Sequence, residues 1–219
     1  MERDRLVERL GKLDACAVSD ALDSLNITGV VNGLQQLSVQ KKIWGRAVTV
    51  KLVPKGSQES KRHLGTAAIE AASIGDVIVV EHGLNDVAGW GGNLSIAAKQ
   101  REISGVIIDG ACRDVDEMRT IGFPIYARAA VPTTARGRIV EHSFNEKIVL
   151  AGGVEVHPGD LVIADGSGVV MIPAAHAEVV IQAAEHIVEQ EAQMAKAILE
   201  GHPVSQVMGR KYETMLSGE

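Results

Sequence analysis

Aromatic residues are scarce in this chain of 219 residues: Phe, Tyr and Trp make up 3% of it, against 46% hydrophobic residues overall. A core of that size therefore has to be filled by Val, Ile, Leu and Ala. The two cysteines, Cys16 and Cys112, are too few for a disulfide framework and have no zinc-ligand spacing. No apolar run approaches the roughly 20 residues of a membrane span, and the opening Met-Glu-Arg-Asp-Arg lacks the form of a secretory signal. A cytoplasmic protein with no membrane partner is expected. A basic block is also absent, and the net charge of −6 argues against nucleic acid as a partner. Length and composition point to one domain over 1–219, with an N-terminal helical extension over 1–25 and a C-terminal helix and tail over 174–219.

The chemistry concentrates between residues 89 and 117. Gly91, Gly92 and Asn93 form a tight loop ahead of a helix expected over Leu94 to Arg101. Such a turn exposes free N–H groups at the positive end of the helix dipole, a ready anion site. A buried strand, Gly105 to Ile108, is expected to close at Asp109-Gly110, and Arg113-Asp114 then opens a second helix with Glu117 one turn on. An Arg beside an Asp at a strand end combines a carboxylate clamp with a hard-oxygen metal ligand. The competing reading is a surface pair between Arg113 and Glu117, spaced i, i+4, contributing about 0.3–0.5 kcal/mol.

Along the rest of the chain, Leu6, Leu10 and Leu13 mark a helix over residues 3 to 13. Ser19 reads as the N-cap of a short helix from Asp20 to Leu25, with Asp20 and Asp23 as dipole and capping residues. A loop is expected over 26–40, a strand over Trp44–Val53 ended by Pro54, and a helix near Lys61–Ala72 with His63 as an ordinary exposed residue. Strands follow at Val77–Val80, Pro124–Arg128 and around Arg136–Val140. Shorter ones lie at Lys147–Leu150, Val154–Val156, Leu161–Ala164 and Gly168–Ile172. Gly75-Asp76 and Gly159-Asp160 each lead into a four-residue aliphatic strand, a weak internal echo. The last long helix runs from about His176 to Glu200. Its stripe of Val180, Ala184, Ile187, Met194 and Ile198 carries Glu191 in the missing position. Either the seam meets solvent there, or the helix packs on a neighbour and delivers Glu191 to a polar site.

Gly92, Arg113, Asp114 and Glu117 meet the pattern Gly, twenty residues, Arg-Asp, two residues, Asp or Glu. Ser19 to Leu22, Gly105 to Gly110, and Pro158-Gly159-Asp160 through Asp165, Gly168-Val169-Val170 and Pro173 supply matching context. In these residues the chain resembles the RraA-like family, which contains class II aldolases for 4-hydroxy-4-methyl-2-oxoglutarate and 4-carboxy-4-hydroxy-2-oxoadipate together with the regulator of ribonuclease E activity. Asn93 departs from the leucine that often follows the family's glycines. The resemblance implies an α/β, swivelling β/β/α domain with N-terminal helices and a long C-terminal helix, assembled as homotrimers or hexamers. It also implies Mg²⁺ or Mn²⁺ near Asp114, and pyruvate held by Arg113 and the loop Gly92, Asn93, Leu94 and Ser95. Glu191 would enter a neighbouring subunit's site.

On that footing the expected activity is metal-dependent cleavage of a 4-hydroxy-2-oxoacid to pyruvate, with oxaloacetate decarboxylation as a side activity. Arg113 would fix the substrate, and carboxylates such as Asp114, Glu117 or Glu191 would orient the water that relays a proton. The alternative is a non-catalytic regulator that binds a basic segment of a ribonuclease or another partner.

Overall fold

The structure is a computed structural model that describes residues 4–57 and 62–209. Helices α1 (Arg5–Leu10) and α2 (Ala15–Ser24) open the chain, followed by the short strands β1 (Val30–Val31) and β2 (Gln35–Gln36) and the long β3 (Ile43–Pro54). Then come α3 (Thr66–Ala71), β4 (Val77–Glu81), α4 (Gly92–Gln100), β5 (Gly105–Cys112), α5 (Val115–Ile121) and β6 (Ile125–Ala130). Three further strands and a hairpin complete the β structure: β7 (Ile139–Phe144), the hairpin of β8 (Ile148–Leu150) and β9 (Val154–Val156), β10 (Leu161–Ala164) and β11 (Val169–Ile172). Helices α6 (Ala177–Leu199) and α7 (Val204–Val207) end it.

One mixed sheet runs in the order β1-β11-β10-β3-β4-β5-β6-β2, with β7 paired to the distal part of β3. The run β3-β4-β5-β6 is parallel and the flanking pairings are antiparallel. Every residue of β5, β10 and β11 is buried, as expected of strands covered on both faces. The sheet curls. Val79, Ile107 and Tyr126 from the parallel run share one cluster with Val162 and Met171 from the antiparallel run, and Ile148, Leu150 and Val156 of the β8–β9 hairpin fill it. Outside, α3, α4 and α5 cover the parallel strands, while α1, α2 and α6 cover β10 and β11. This is the expected α/β architecture, with both helical extensions packed on one outer face.

Five local expectations change, the first being that the loop expected over 26–40 carries the sheet strands β1 and β2. Helix α2 begins five residues before the expected start, because the Asp14 carboxylate accepts from Ala17 N at 2.9 Å and caps it; Ser19 lies inside the helix. Strand β5 does not close at Asp109-Gly110 but runs to Cys112 through a register shift between Ile108 and Ala111. Helix α3 starts at Thr66, after Gly65 in the left-handed region; Lys61 lies outside the described residues. Helix α6 is buried only as far as Ile187, and beyond it Ile198 and Leu199 are exposed. The Gly-Asp echo is a shared turn: Asp76 and Asp160 each bond the residue three back, through backbone N–H and side-chain carboxylate alike.

Candidate active site

A cleft of about 330 Å³ opens at the carboxyl end of β5, where the glycine loop and Arg113-Asp114 meet. Ligands of open parallel sheets bind at this edge. The loop reaches it because Arg113 N donates to Trp90 O at 3.0 Å and Gly89 N to Ala111 O at 2.9 Å.

Two glycines let acidic side chains lie directly on the backbone. A Cβ on Gly91 would stand 2.7 Å from Asp114 Oδ2, and one on Gly92 would overlap the Glu117 carboxylate. The twenty-residue spacing from Gly92 to Arg113 is thus the path from the first turn of α4, along β5, to the start of α5. Asp114 is itself left-handed, at φ 60° and ψ 35°, a conformation Asp tolerates better than most residues. Its side chain does not cap α5 but turns to the loop, where Oδ2 accepts from Gly92 N at 2.9 Å and from Arg113 Nε at 3.2 Å.

The expected anion site is therefore partly filled by the protein's own carboxylate, and the Gly92 amide is not free for substrate. The N–H groups of Asn93 and Leu94, both at the cleft, have no acceptor among the described residues. Arg113 spends only Nε on Asp114, which leaves Nη1 and Nη2 without a partner among the described residues, on a side chain 40% exposed. The competing arrangement, an Arg113–Glu117 surface pair, does not form, since the guanidinium pairs with Asp114 instead.

Ser95 stands away from the cleft, and its N–H donates to Gly91 O at 3.1 Å. It is fully buried; its hydroxyl donates to Gly91 O at 3.1 Å and accepts from Trp90 Nε1 at 3.0 Å. It holds the loop and does not line the cleft. Glu117 is also off the cleft lining, packed over Gly92. Glu191 stands apart from the cleft of its own chain, exposed on α6, where desolvation by its neighbours and then the charges of Asp14 and Asp20 raise its pKa.

The cleft also gathers residues that sequence reasoning passed over. Lys55, His63 and Arg136 line it with Arg113, and Asp114 is the one acid among the described lining residues. A chain of net charge −6 thus presents a cationic cleft, an arrangement that focuses anions. His63 is exposed as expected, yet it faces this site. No local signal marks Lys55 or Arg136, because Lys55 arrives from the end of β3 and Arg136 from the turn before β7. Cys112, one residue before Arg113, is buried, and that burial pushes its thiol up to about 11; it is not a nucleophile at neutral pH.

Residues 15–171 match the RraA-like family model, described as Aldolase/RraA. The chain belongs to the RraA-like family. It is 29% identical over 203 residues to Protein DlpA of Legionella pneumophila, covering 92% of this chain but 33% of that protein, so it spans about a third of that relative's length. It is 32% identical over 173 residues to a Halalkalibacterium halodurans protein whose name provisionally assigns it as a 4-hydroxy-4-methyl-2-oxoglutarate aldolase, covering 77% of this chain and 76% of that one. Among solved structures, Streptomyces coelicolor RraAS2, titled an unusual member of the RNase ES inhibitor RraA family, superposes with a TM-score of 0.75. Identity there is 26%, over 90% of this chain and 98% of that one. No helix among the described residues is long and apolar enough to cross a membrane.

Proposed function

We propose that this RraA-like chain is a class II pyruvate aldolase, cleaving a 4-hydroxy-2-oxoacid such as 4-hydroxy-4-methyl-2-oxoglutarate to pyruvate and a second oxoacid. The observation that carries this reading is the convergence, in one cationic cleft, of the open Arg113 guanidinium edge, the open amides of Asn93 and Leu94, and the Asp114 carboxylate. A planar guanidinium edge matches a carboxylate through paired N–H donors. Arg113 then holds the oxoacid carboxylate, and the Asn93 and Leu94 amides face the charge that develops on the keto oxygen. Lys55 and Arg136 meet the second carboxylate of such a substrate.

A divalent cation fits the donors in part. No cluster of three His, Cys, Asp or Glu side chains able to hold a metal occurs among the described residues, which speaks against zinc. Asp114 keeps one oxygen that accepts no hydrogen bond from the described residues, and Mg²⁺ or Mn²⁺ is commonly held by one or two carboxylates with water and substrate oxygens completing the shell. Asp114 would hold the ion, and when bound it supplies Lewis-acid polarisation of the 2-keto group. Asp114 orients the water that takes the proton of the 4-hydroxyl. Glu117, packed on Gly92, keeps loop and α5 at a fixed distance.

Glu191 belongs to this reading only through assembly. The projecting end of α6, with Ile198 and Leu199 exposed and Val204 and Met208 exposed beyond it, suits burial against another copy in a trimer or hexamer. In such an assembly Glu191 would face a neighbour's Arg113. Pyruvate release from 4-hydroxy-2-oxoacids and from oxaloacetate, with and without chelator, tests the activity. Turnover that survives exhaustive chelation would sink the metal role, and no turnover on any oxoacid would sink the aldolase. A second reading, a regulator of a ribonuclease or another partner, draws on the likeness to RraAS2 and on the acidic group Asp14, Asp20 and Glu191. Tight binding of an arginine-rich peptide by an inactive protein would favour it.

A further inference from the structure

Behind the cleft floor lies a histidine that the reaction does not use. His82 follows β4 and is 5% exposed. Its Nε2 is 2.6 Å from Val87 O, and its buried Nδ1 has no partner among the described residues. A carbonyl only accepts, so Nε2 carries the proton and Nδ1 is bare. Glycines on two sides make room for the ring. A Cβ on Gly110 would stand 2.5 Å from its Cδ2, and one on Gly89 would stand 3.0 Å away. Gly110 therefore serves this ring, while its neighbour Asp109 faces elsewhere and bonds Arg128 and Ala151 N. The span from Gly83 to Trp90 is tied to β5 through Gly83 N to Asp109 O, Ala111 N to Leu84 O and Gly89 N to Ala111 O. Val87, between those ties, is held by the imidazole.

We propose that His82 is a positioning residue for the cleft: as a neutral imidazole protonated on Nε2, it clasps the Val87 carbonyl and keeps the Gly89–Gly92 floor in place beneath Arg113. This rests on the reading of that floor as the oxoacid site. A second proton on Nδ1 would bury a charged donor with no acceptor, which is costly. Burial holds the His82 pKa below its ordinary value; the Val87 carbonyl and the charges of Asp86 and Asp109 oppose this without overcoming it. The sign follows. The contribution of the neutral ring is fully present above the unfolded value of about 6.5 and is lost as pH falls through the lower folded value. Mild acid therefore loosens the floor before the rest of the fold.

Amide hydrogen exchange on the full chain tests this, with protection compared near neutral pH and about two units lower. His82→Leu is expected to lose protection across residues 83–92 by roughly five- to tenfold, with β10 and β11 unchanged. His82→Gln keeps a donor without a titrating ring, so it should retain that protection and lose its pH dependence. Equal exchange in wild type and His82→Leu would overturn the clasp. So would a His82→Gln protein that still loosens in acid as wild type does. Should His82→Leu fail to fold, wild type alone decides: exchange over 83–92 that stays parallel to β10 and β11 as pH falls also overturns it. Oxaloacetate turnover separates the two proposals. An inactive wild type whose loop still responds to His82 sinks the oxoacid reading alone, and an active one whose loop ignores His82 sinks the clasp alone.

Discussion

Charge is accommodated in two different ways on the two outer faces of the sheet. On the face built by α1, α2 and α6, Arg9 bridges Glu178 and Glu185, its Nε and Nη2 each 2.8 Å from a Glu185 oxygen. There, charge meets charge through long, adjustable side chains at the surface. On the face built by α4 and α5, the carboxylates of Asp114 and Glu117 lie against the Cα atoms of Gly91 and Gly92, where no Cβ fits. Here, charge meets backbone. The first arrangement can relax around a substitution and the second cannot, so tolerance to mutation should differ sharply between the faces.

The largest effect is expected at Gly92→Ala. The new methyl group overlaps Glu117, and displacing the loop by about an ångström should cost on the order of 10²-fold in pyruvate release. Glu117→Ala in the same chain should recover part of that loss, because the two changes share one contact. A double variant no better than Gly92→Ala would mean the glycine serves something other than clearance from Glu117.

Next comes Arg113→Lys. It keeps the charge but removes the planar donor edge, and should weaken substrate binding and turnover together by about 1.5–3 kcal/mol, read as kcat/KM. Ser95→Ala should be somewhat milder. It strips the Trp90 indole of its acceptor, a loss of about 1–3 kcal/mol that should appear as a lower unfolding midpoint and altered Trp90 emission in a Trp44→Phe background.

The smallest effect is expected on the other face. Arg9→Ala should lower stability by about 1 kcal/mol or less, and high salt should shrink the difference. Arg9 holds the Glu185 pKa below its usual value. This contribution is therefore present above the unfolded glutamate pKa and fades as pH falls through the lower folded one. A large activity loss in Arg9→Ala would erase the contrast between the two faces.

Much of this was legible in the sequence. The glycine loop, the strand it leads to and the Arg-Asp pair announce themselves by local rules: tight turns need glycine, buried parallel strands read as aliphatic runs, and helices open on exposed donors. Local rules also failed in identifiable places. Ser19 looked like a cap, but Asp14 reached Ala17 first and moved the start of α2. Asp109-Gly110 looked like a turn, but pairing with β6 and the bridge from Ala88 to Ala111 carried β5 through it. The contacts of Ser95, its N–H on Gly91 and its hydroxyl between Trp90 and Gly91, follow from no local rule.

The sequence by itself determined the chemical inventory and the periodicities: an aliphatic core, an anionic chain, a guanidinium beside a carboxylate, and a long helix with a carboxylate on its seam. Only the tertiary structure decided which groups meet. Lys55 and Arg136 reach the cleft from β-strand regions more than twenty residues from Arg113. His82 finds its space under Gly110 and Gly89, and the Gly92 amide is spent on Asp114. Such contacts join residues that no helix or strand period relates. Their energy depends on distances of a few tenths of an ångström, which are set when the curled sheet and its two helical layers pack together.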